Sequence, residues 1–468
     1  MEILNVRAKG LARHGQKVTP LRIVQSGLCS GCGSCVGQAS PREAAMGFDV
    51  YGQLRPEGDG AWMRHGPESF ARTCPFSPQA ADEDDLSDAL YPEAPPYATV
   101  GRFLSAHVGF AQEDGYRDRG SSGGMVSWVL EELMRKGLID GAAHVVPTDP
   151  DTGRFFRYRI SRSPEEIRQG AKSRYYPVET SEILRTIRET PGRYAIVGVP
   201  CFIKAIQLLR REDPLMRERI AFTLGLFCGH MKSARFAESF AMQMDVPFTG
   251  VEKVDYRLKD PTRPASTYTA GLTMRDGSFH KRDWWNLVDG DWGSGFFQYE
   301  ACNYCDDVIA ETADISFGDA WVEPYSSDGR GTNVIVTRSS VVADLVEKAI
   351  KEERLCLSPV DEEFIVQTQA AGFRQRREGL AYRLTWWKRG IQPRKRVSPA
   401  VPDSRRRRLI YRTRASISRW SHRMFWLSRR LGNPAPFVRW GRAAVAFYHG
   451  FAYSRGKIGA FFDRIGLS

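Results

Sequence analysis

At 468 residues and 42% hydrophobic composition, the chain has apolar material for two or three domains and is neither disordered nor fibrous. The net charge of +12 is uneven: from Arg374 onward there are 24 Lys and Arg against 3 acids, while the preceding part holds 43 basic and 52 acidic residues. The basic balance therefore belongs to the tail and not to the body.

Residues 1–20 carry Arg7, Lys9, Arg13 and Lys17 but no apolar run of signal-peptide length, and no apolar run anywhere reaches the ~18 residues of a membrane span. The expected location is cytoplasmic. In that reducing compartment nine cysteines set in C-x-x-C units point to metal or cluster ligation rather than disulfides.

Residues 1–94 contain Cys29, Cys32, Cys35 and Cys74 among glycine-rich turns and end in ADEDDLSDALYPEAPP, an acidic, proline-containing stretch that reads as a linker. Cys29-x-x-Cys32-x-x-Cys35 followed by Cys74-Pro75 has the order of a bacterial ferredoxin ligand run. Two-residue spacings let one loop offer three thiolates to three irons of a cube, and glycines at 27, 31 and 33 permit the turns. Zinc is the alternative, but it usually takes two separated pairs. The long gap before Cys74 departs from the compact ferredoxin spacing.

Residues 95–373 are expected to form a mixed α/β body. A Ser121-Ser122-Gly123-Gly124 turn opens MVSWVLEELMRKGL, whose apolar residues recur at helical spacing until Gly137. YAIVGVP and IAFTLGLF read as buried strands with the helix-patterned FIKAIQLLRRED between them, each ending near a cysteine, so Cys201 and Cys228 should meet at one edge of a sheet. ADISFGDAW and NVIVTRS add strands around a Gly-Asp turn. Cys302-x-x-Cys305 offers two ligands and alone could equally be a redox dithiol. Cys201 and Cys228 taken singly read as core thiols, yet these four together make one further complete site and leave only Cys356 over.

Residues 374–468 interleave arginines with tryptophans and phenylalanines. Such a tail suits a helical segment on an anionic membrane surface or an acidic partner, or a pair of helices folded on the acidic body. Nucleic acid shares the charge requirement, but no recognised nucleic-acid module accompanies it.

GLCSGCGSC, SSGGMVSWVLEELMRKGLIDGA, KSRYYPV, VGVPCFIKAI, GLFCGH and CNYCDDVIAETADISFGDAW follow one another in an order that resembles the coenzyme F420 hydrogenase/dehydrogenase beta-subunit family, from about residue 26 to 340. The resemblance implies a ferredoxin-like N-terminal cluster segment on an α/β flavin-binding body, with two 4Fe-4S clusters and FAD. By it, Cys29, Cys32, Cys35 and Cys74 would hold one cluster, and Cys201, Cys228, Cys302 and Cys305 the other.

The flavin would lie at Ser121, Ser122, Gly123 and Gly124, where a helix N-terminus can accept a pyrophosphate. An ordinary N-cap is the plainer reading of that turn. Lys172, Ser173 and Tyr175 match a second motif of the family, and Asp319 would be a polar contact or simply a turn residue. His230 and Tyr175 are candidates for proton transfer, and no general acid is named.

The resemblance implies an oxidoreductase that passes electrons from ferredoxin or another redox protein to a small organic substrate or deazaflavin through FAD. The alternatives are a non-catalytic electron-transfer subunit of a larger complex, which bacterial relatives near surface-polysaccharide genes would allow, and a zinc-stabilised binding protein.

Overall fold

The computed structural model describes residues 17–113, 115–386 and 390–464. Arg7, Lys9 and Arg13, read above for the absence of a leader, lie outside the described residues. The apolar runs YAIVG and IAFTLGL become neighbouring parallel strands because their side chains are covered on both faces, as parallel sheets require.

Around them stands an eight-stranded sheet. Its strands in chain order are β1 (Ser105–Ala111), β2 (Gly141–Pro147), β3 (Phe156–Ser161), β4 (Tyr194–Gly198), β5 (Ile220–Leu226), β6 (Ile315–Asp319), β7 (Asn333–Thr337) and β8 (Leu355–Pro359). In space they run β8-β1-β7-β6-β5-β4-β2-β3. The central β2, β4, β5 and β6 are parallel to their neighbours in that group, and the flanking pairs are antiparallel. The expected mixed α/β body is what the chain forms.

Helix α1 (Met125–Arg135) packs Trp128, Val129 and Leu133 against one face of the sheet, and Gly137 ends it in a left-handed conformation at φ 62°. On the other face, α2 (Ser181–Glu189) and α3 (Pro200–Glu212) bury Ile183, Ile187, Phe202, Ile206 and Leu209 with Ile196. A separate three-stranded sheet, Val251–Asp255, Thr269–Met274 and Phe279–Asp283, carries a core rich in aromatic rings.

Two long helices, α4 (Arg405–Leu431) and α5 (Ala435–Tyr453), pack on each other and on that core, with Phe425 and Phe437 around Phe297. So the tail takes the form of helices docked on the body. The cut expected after residue 373 falls within the helix Ala370–Arg376, and Arg376 and Arg383 beyond it are buried.

The acidic stretch read as a linker is not one. Glu83–Leu90 is a helix closed by a capping box on Asp82, with Leu86 packed on Ala80 and Leu208. Its charges are matched by distant cations: Glu83 meets Lys204 at 3.1 Å with both side chains buried, Arg394 reaches Asp82 and Asp85 at 2.9 and 2.8 Å, and Arg396 reaches Asp84 at 3.0 Å. Partners more than a hundred residues away turned an apparently solvated run into a docked element.

Candidate functional site

The first thiol group is built by one loop and one helix end. Thr19 caps the helix Pro20–Gln25, after which the chain turns through Gly31 and Gly33 at φ 72° and 80°. A Cβ at Gly31 would stand 2.6 Å from the Leu54 carbonyl oxygen, and one at Gly33 would run into the Glu179 carboxylate and approach the Thr180 and Ser181 amides to 3.0 Å. Only glycine fits where this loop is wedged between the hairpin strand Leu54–Gly58 and the start of α2.

The Cys32 carbonyl accepts both the Thr180 amide at 2.9 Å and its hydroxyl at 2.7 Å, and Arg55 donates to the Cys29 carbonyl. Cys74 ends the short helix Phe70–Thr73. All four thiols, Cys29, Cys32, Cys35 and Cys74, line one cavity with Leu28, Phe70 and Phe76. Burial pushes the Cys32 thiol up to about 11, and it pushes Cys35 well up, with Cys32, Cys29 and Cys74 adding to the rise.

The second group is built by topology. In the β4–β5 register Gly198 stands opposite Gly225, and Cys201 and Cys228 each follow three residues later. Parallel pairing therefore delivers both to the same carboxyl edge, with Cys201 in the first turn of α3 behind Pro200. The turn Glu300–Tyr304 brings Cys302 and Cys305 to them. Met231 lies among these sulfurs: its amide donates to Cys302 Sγ at 3.3 Å, and its Sδ is 4.0 Å from Cys201 Sγ.

Burial raises Cys201 well above the usual thiol range, followed by the fields of Cys305, Cys302, Cys228 and, from the first group, Cys32. Cys228 is pushed up to about 12 and Cys302 to about 11, again chiefly by burial. These are neutral thiols in the unmetallated protein, so any metal must displace their protons. Among the described residues no group of three or more His, Cys, Asp or Glu stands ready-arranged to hold a metal ion. Cys356, the ninth cysteine, is exposed on β8.

Arg376 reaches this second group from the basic C-terminal part. It donates to the Cys228 and Gly229 carbonyls at 2.7 and 2.9 Å, while its Nε and Nη1 have no partner. Burial works against its charge, and Cys305, Cys228 and Cys302 would offset that cost once they are thiolates. Lys395 joins the two thiol groups differently: its ammonium is 2.9 Å from Asp306, next to Cys305, and 5.0 Å from the ring of Phe76 beside the first group.

His230 stacks on Trp292 at 4.2 Å between ring centres and accepts from Arg414 at 3.2 Å. Burial, Lys232 and Arg414 hold it neutral.

The residues expected to hold a flavin come together at the start of α1. The Ser173 amide donates to Ser121 Oγ at 2.9 Å, which joins the Ser-Ser-Gly-Gly turn to the basic loop. Tyr175 sits among Tyr256, Trp284 and Trp292, with burial raising its hydroxyl and Arg257 and Asp319 within electrostatic reach. Asp319 pairs with Arg257 at 2.9 Å, and Lys172 with Asp255 at 3.1 Å.

Lys259, missed in the sequence, donates to the Ser122 carbonyl at 3.1 Å and is pushed down to about 8 by burial and then by Arg117, with Lys172 and Arg257 contributing. Neither serine caps α1 by its side chain. The Met125 amide is instead taken by Asn333 at the start of β7, 3.2 Å away, and Ser122 Oγ has no partner. Gly123 and Gly124 are required by packing, since a Cβ on them would meet Asn333 Oδ1 at 2.8 Å and the Tyr116 carbonyl at 2.5 Å.

The residues that sequence reasoning missed, Arg257, Lys259, Asn333 and Arg376, belong to no local motif. Their only signal is charge or amide chemistry at strand ends and in the basic stretch.

Residues 106–185 match the N-terminal profile of the coenzyme F420 hydrogenase/dehydrogenase beta subunit, and residues 192–363 match its C-terminal profile. The chain is similar to one of the subunits of the F420H2 dehydrogenase of Methanosarcina mazei, 24% identical over 307 residues that cover 63% of this chain and 76% of that one. It is similar also to a coenzyme F420-dependent sulfite reductase of Methanocaldococcus jannaschii, 24% identical over 330 residues covering 67% of this chain, and here it spans less than half, 45%, of the relative. Among solved structures, a chain of the F420-reducing NiFe hydrogenase complex from Methanosarcina barkeri superposes with a TM-score of 0.49 at 16% identity, over 64% of this chain and 99% of that one. The two matched regions together take in more than half of the residues, and the chain belongs to the coenzyme F420 hydrogenase/dehydrogenase beta-subunit family of electron-transferring oxidoreductases.

Proposed function

We propose that the chain is a cytoplasmic iron-sulfur flavoprotein with one 4Fe-4S cluster on Cys29, Cys32, Cys35 and Cys74, a second on Cys201, Cys228, Cys302 and Cys305, and FAD held by Ser121, Ser122, Gly123, Gly124, Lys172, Ser173, Tyr175 and Asp319. The carrying observation is that eight of nine cysteines, scattered over more than 270 residues of sequence, gather as two quartets with Cys201 within the field of Cys32. The donor set suits clusters: it is all sulfur and buried, and three of the first four thiols stand two residues apart on one loop.

The unpartnered N–H groups of Arg376 and the free hydroxyl of Ser122 are buried polar atoms that a bound anionic group would satisfy. When bound, the clusters supply one-electron transfer, and the flavin supplies the exchange of electron pairs for single electrons. The protein's own residues hold and insulate. Leu28, Phe70 and Phe76 keep water from the first quartet, while Lys259, beside the Ser122 carbonyl, offers positive charge to an anionic cofactor or substrate, Lys172 and Arg257 being matched by Asp255 and Asp319.

On this reading, electrons pass between ferredoxin or a similar redox partner and a small organic acceptor or the deazaflavin coenzyme F420, the substrate named for the relatives. Iron, sulfide and flavin measured on anaerobically purified protein test all three sites in one sample. Cys302→Ala should then lose roughly half the iron, and unchanged iron would sink the ligand grouping.

A further inference from the structure

Helices α4 and α5 contain no Asp or Glu. Their inner faces are used up on the body, through Ile417, Phe425 and Phe437. The outer face of α4 is different. Arg419, Arg423 and Arg430, spaced by four and seven residues, form one line along the helix. Trp420, Leu427 and Leu431 border that line on one side and Trp426 on the other, with exposures of 44, 37, 60 and 38%.

The arginine Cζ atoms of Arg423 and Arg430 lie 5.1 and 5.4 Å from the rings of Trp420 and Trp426. Among the described residues two carboxylates come near this line, Glu300 at 3.6 Å from Arg419 and Glu238, which is taken by the neighbouring Arg429, and none pairs with Arg423 or Arg430. Beside the far end of the line a cavity of about 570 Å³ opens between α4 and the helix Arg235–Gln243, lined by Met242, Val246, Phe248 and Trp426 together with Arg430 and the Glu238–Arg429 pair.

We propose that this outer face of α4 seats the protein on an anionic lipid surface, with Arg419, Arg423 and Arg430 at the headgroup phosphates and Trp420, Trp426, Leu427 and Leu431 at the boundary with the acyl chains. Positive charge without internal carboxylates is complementary to such a surface, and each arginine near it strengthens attachment about fivefold. Large apolar side chains flanking the charges distinguish this from a nucleic-acid site, where leucines at the contact line would have only hydrated phosphate to meet. The helix lies along the surface and does not enter it, for no described helix is long and apolar enough to cross a membrane.

The test uses the full chain and phosphatidylcholine vesicles with or without phosphatidylglycerol, read by co-sedimentation. Binding is expected only with phosphatidylglycerol, should weaken as salt rises, and should fall about thirtyfold in the Arg423→Gln/Arg430→Gln variant. Lipids brominated on the acyl chain should quench the tryptophan fluorescence of the intact chain more than that of the Trp420→Phe/Trp426→Phe variant. An intact chain that stays unbound at low salt, a glutamine variant that binds as well as the parent, or equal quenching in both proteins would each overturn the proposal. So would tighter binding to a duplex oligonucleotide than to the anionic vesicles at the same salt.

Discussion

The two thiol quartets reach similar burial by opposite routes. Three members of the first come from a single seven-residue loop, and the helix Phe70–Thr73 adds the fourth. The second exists only if β4 and β5 pair in register, α3 starts at Pro200 and the turn Glu300–Tyr304 folds back over the sheet edge. A local site can keep its shape when the body loosens, whereas a site made by topology is lost with the fold. The second should therefore be the more sensitive reporter of global stability, and the buried charges between the two quartets are where that difference can be broken.

The largest effect is expected at Asp306. It is fully buried, pairs with Lys395 at 2.9 Å and accepts the Arg396 amide at 3.1 Å, and Lys395, Arg396 and Lys204 hold its carboxyl well below the usual range. Asp306→Asn keeps the shape but leaves the Lys395 ammonium buried without its counter-charge, which costs about 3–5 kcal/mol. Thermal unfolding should shift down accordingly. Protection of the β4 and β5 amides from hydrogen exchange should fall with it, while an unshifted melting temperature would show that the pair is not holding the quartets together.

Acid should act through the hairpin side. His422 on α4 lies 3.1 Å from Gln53, just before the strand Leu54–Gly58 that supports the first loop, and burial pushes it down to about 4 although the Gln298 carbonyl favours its charged form. Unfolded, the imidazole takes up its proton near 6.5; folded, only near 4. The unfolded chain therefore binds more protons between these values, and stability present above pH 6.5 is lost as the pH falls toward 4, by up to about 3 kcal/mol. His422→Gln should flatten that part of the melting-temperature profile. A parent-like acid slope in the variant would assign the loss elsewhere.

The same contrast explains what could be read in advance. Cys29, Cys32 and Cys35 announce themselves because a two-residue spacing is a local fact, and the meeting of Cys201 with Cys228 follows from two apolar runs that each end near a cysteine. α1 was legible from its periodicity, and so were the central strands. The helix Glu83–Leu90 was hidden because its stabilising cations, Lys204, Arg394 and Arg396, are far along the chain, so local composition showed only an acidic run. Charge counting likewise drew a line after residue 373 that the helix Ala370–Arg376 ignores. Asn333 looked like the first residue of a strand, and nothing nearby in sequence says that it caps α1.

Arg376 offers the subtlest way to separate the quartets. Its guanidinium is buried beside Cys228, Cys302 and Cys305, and only the second quartet feels it strongly. If that quartet carries the proposed cluster, a fixed positive charge favours the reduced, more negative state. Removing one unit charge at ~8 Å in an effective dielectric of ~20 changes the couple by roughly 2 kcal/mol, on the order of 90 mV for one electron. Arg376→Gln retains a donor for the Cys228 carbonyl and should lower one of two reduction potentials in a redox titration followed by electron paramagnetic resonance, leaving the other in place. Arg376→Lys should restore most of the shift because it returns the charge without the planar fork. Two potentials moving together would mean that the arginine acts through overall packing, and no movement would mean that its field is screened from the thiolates.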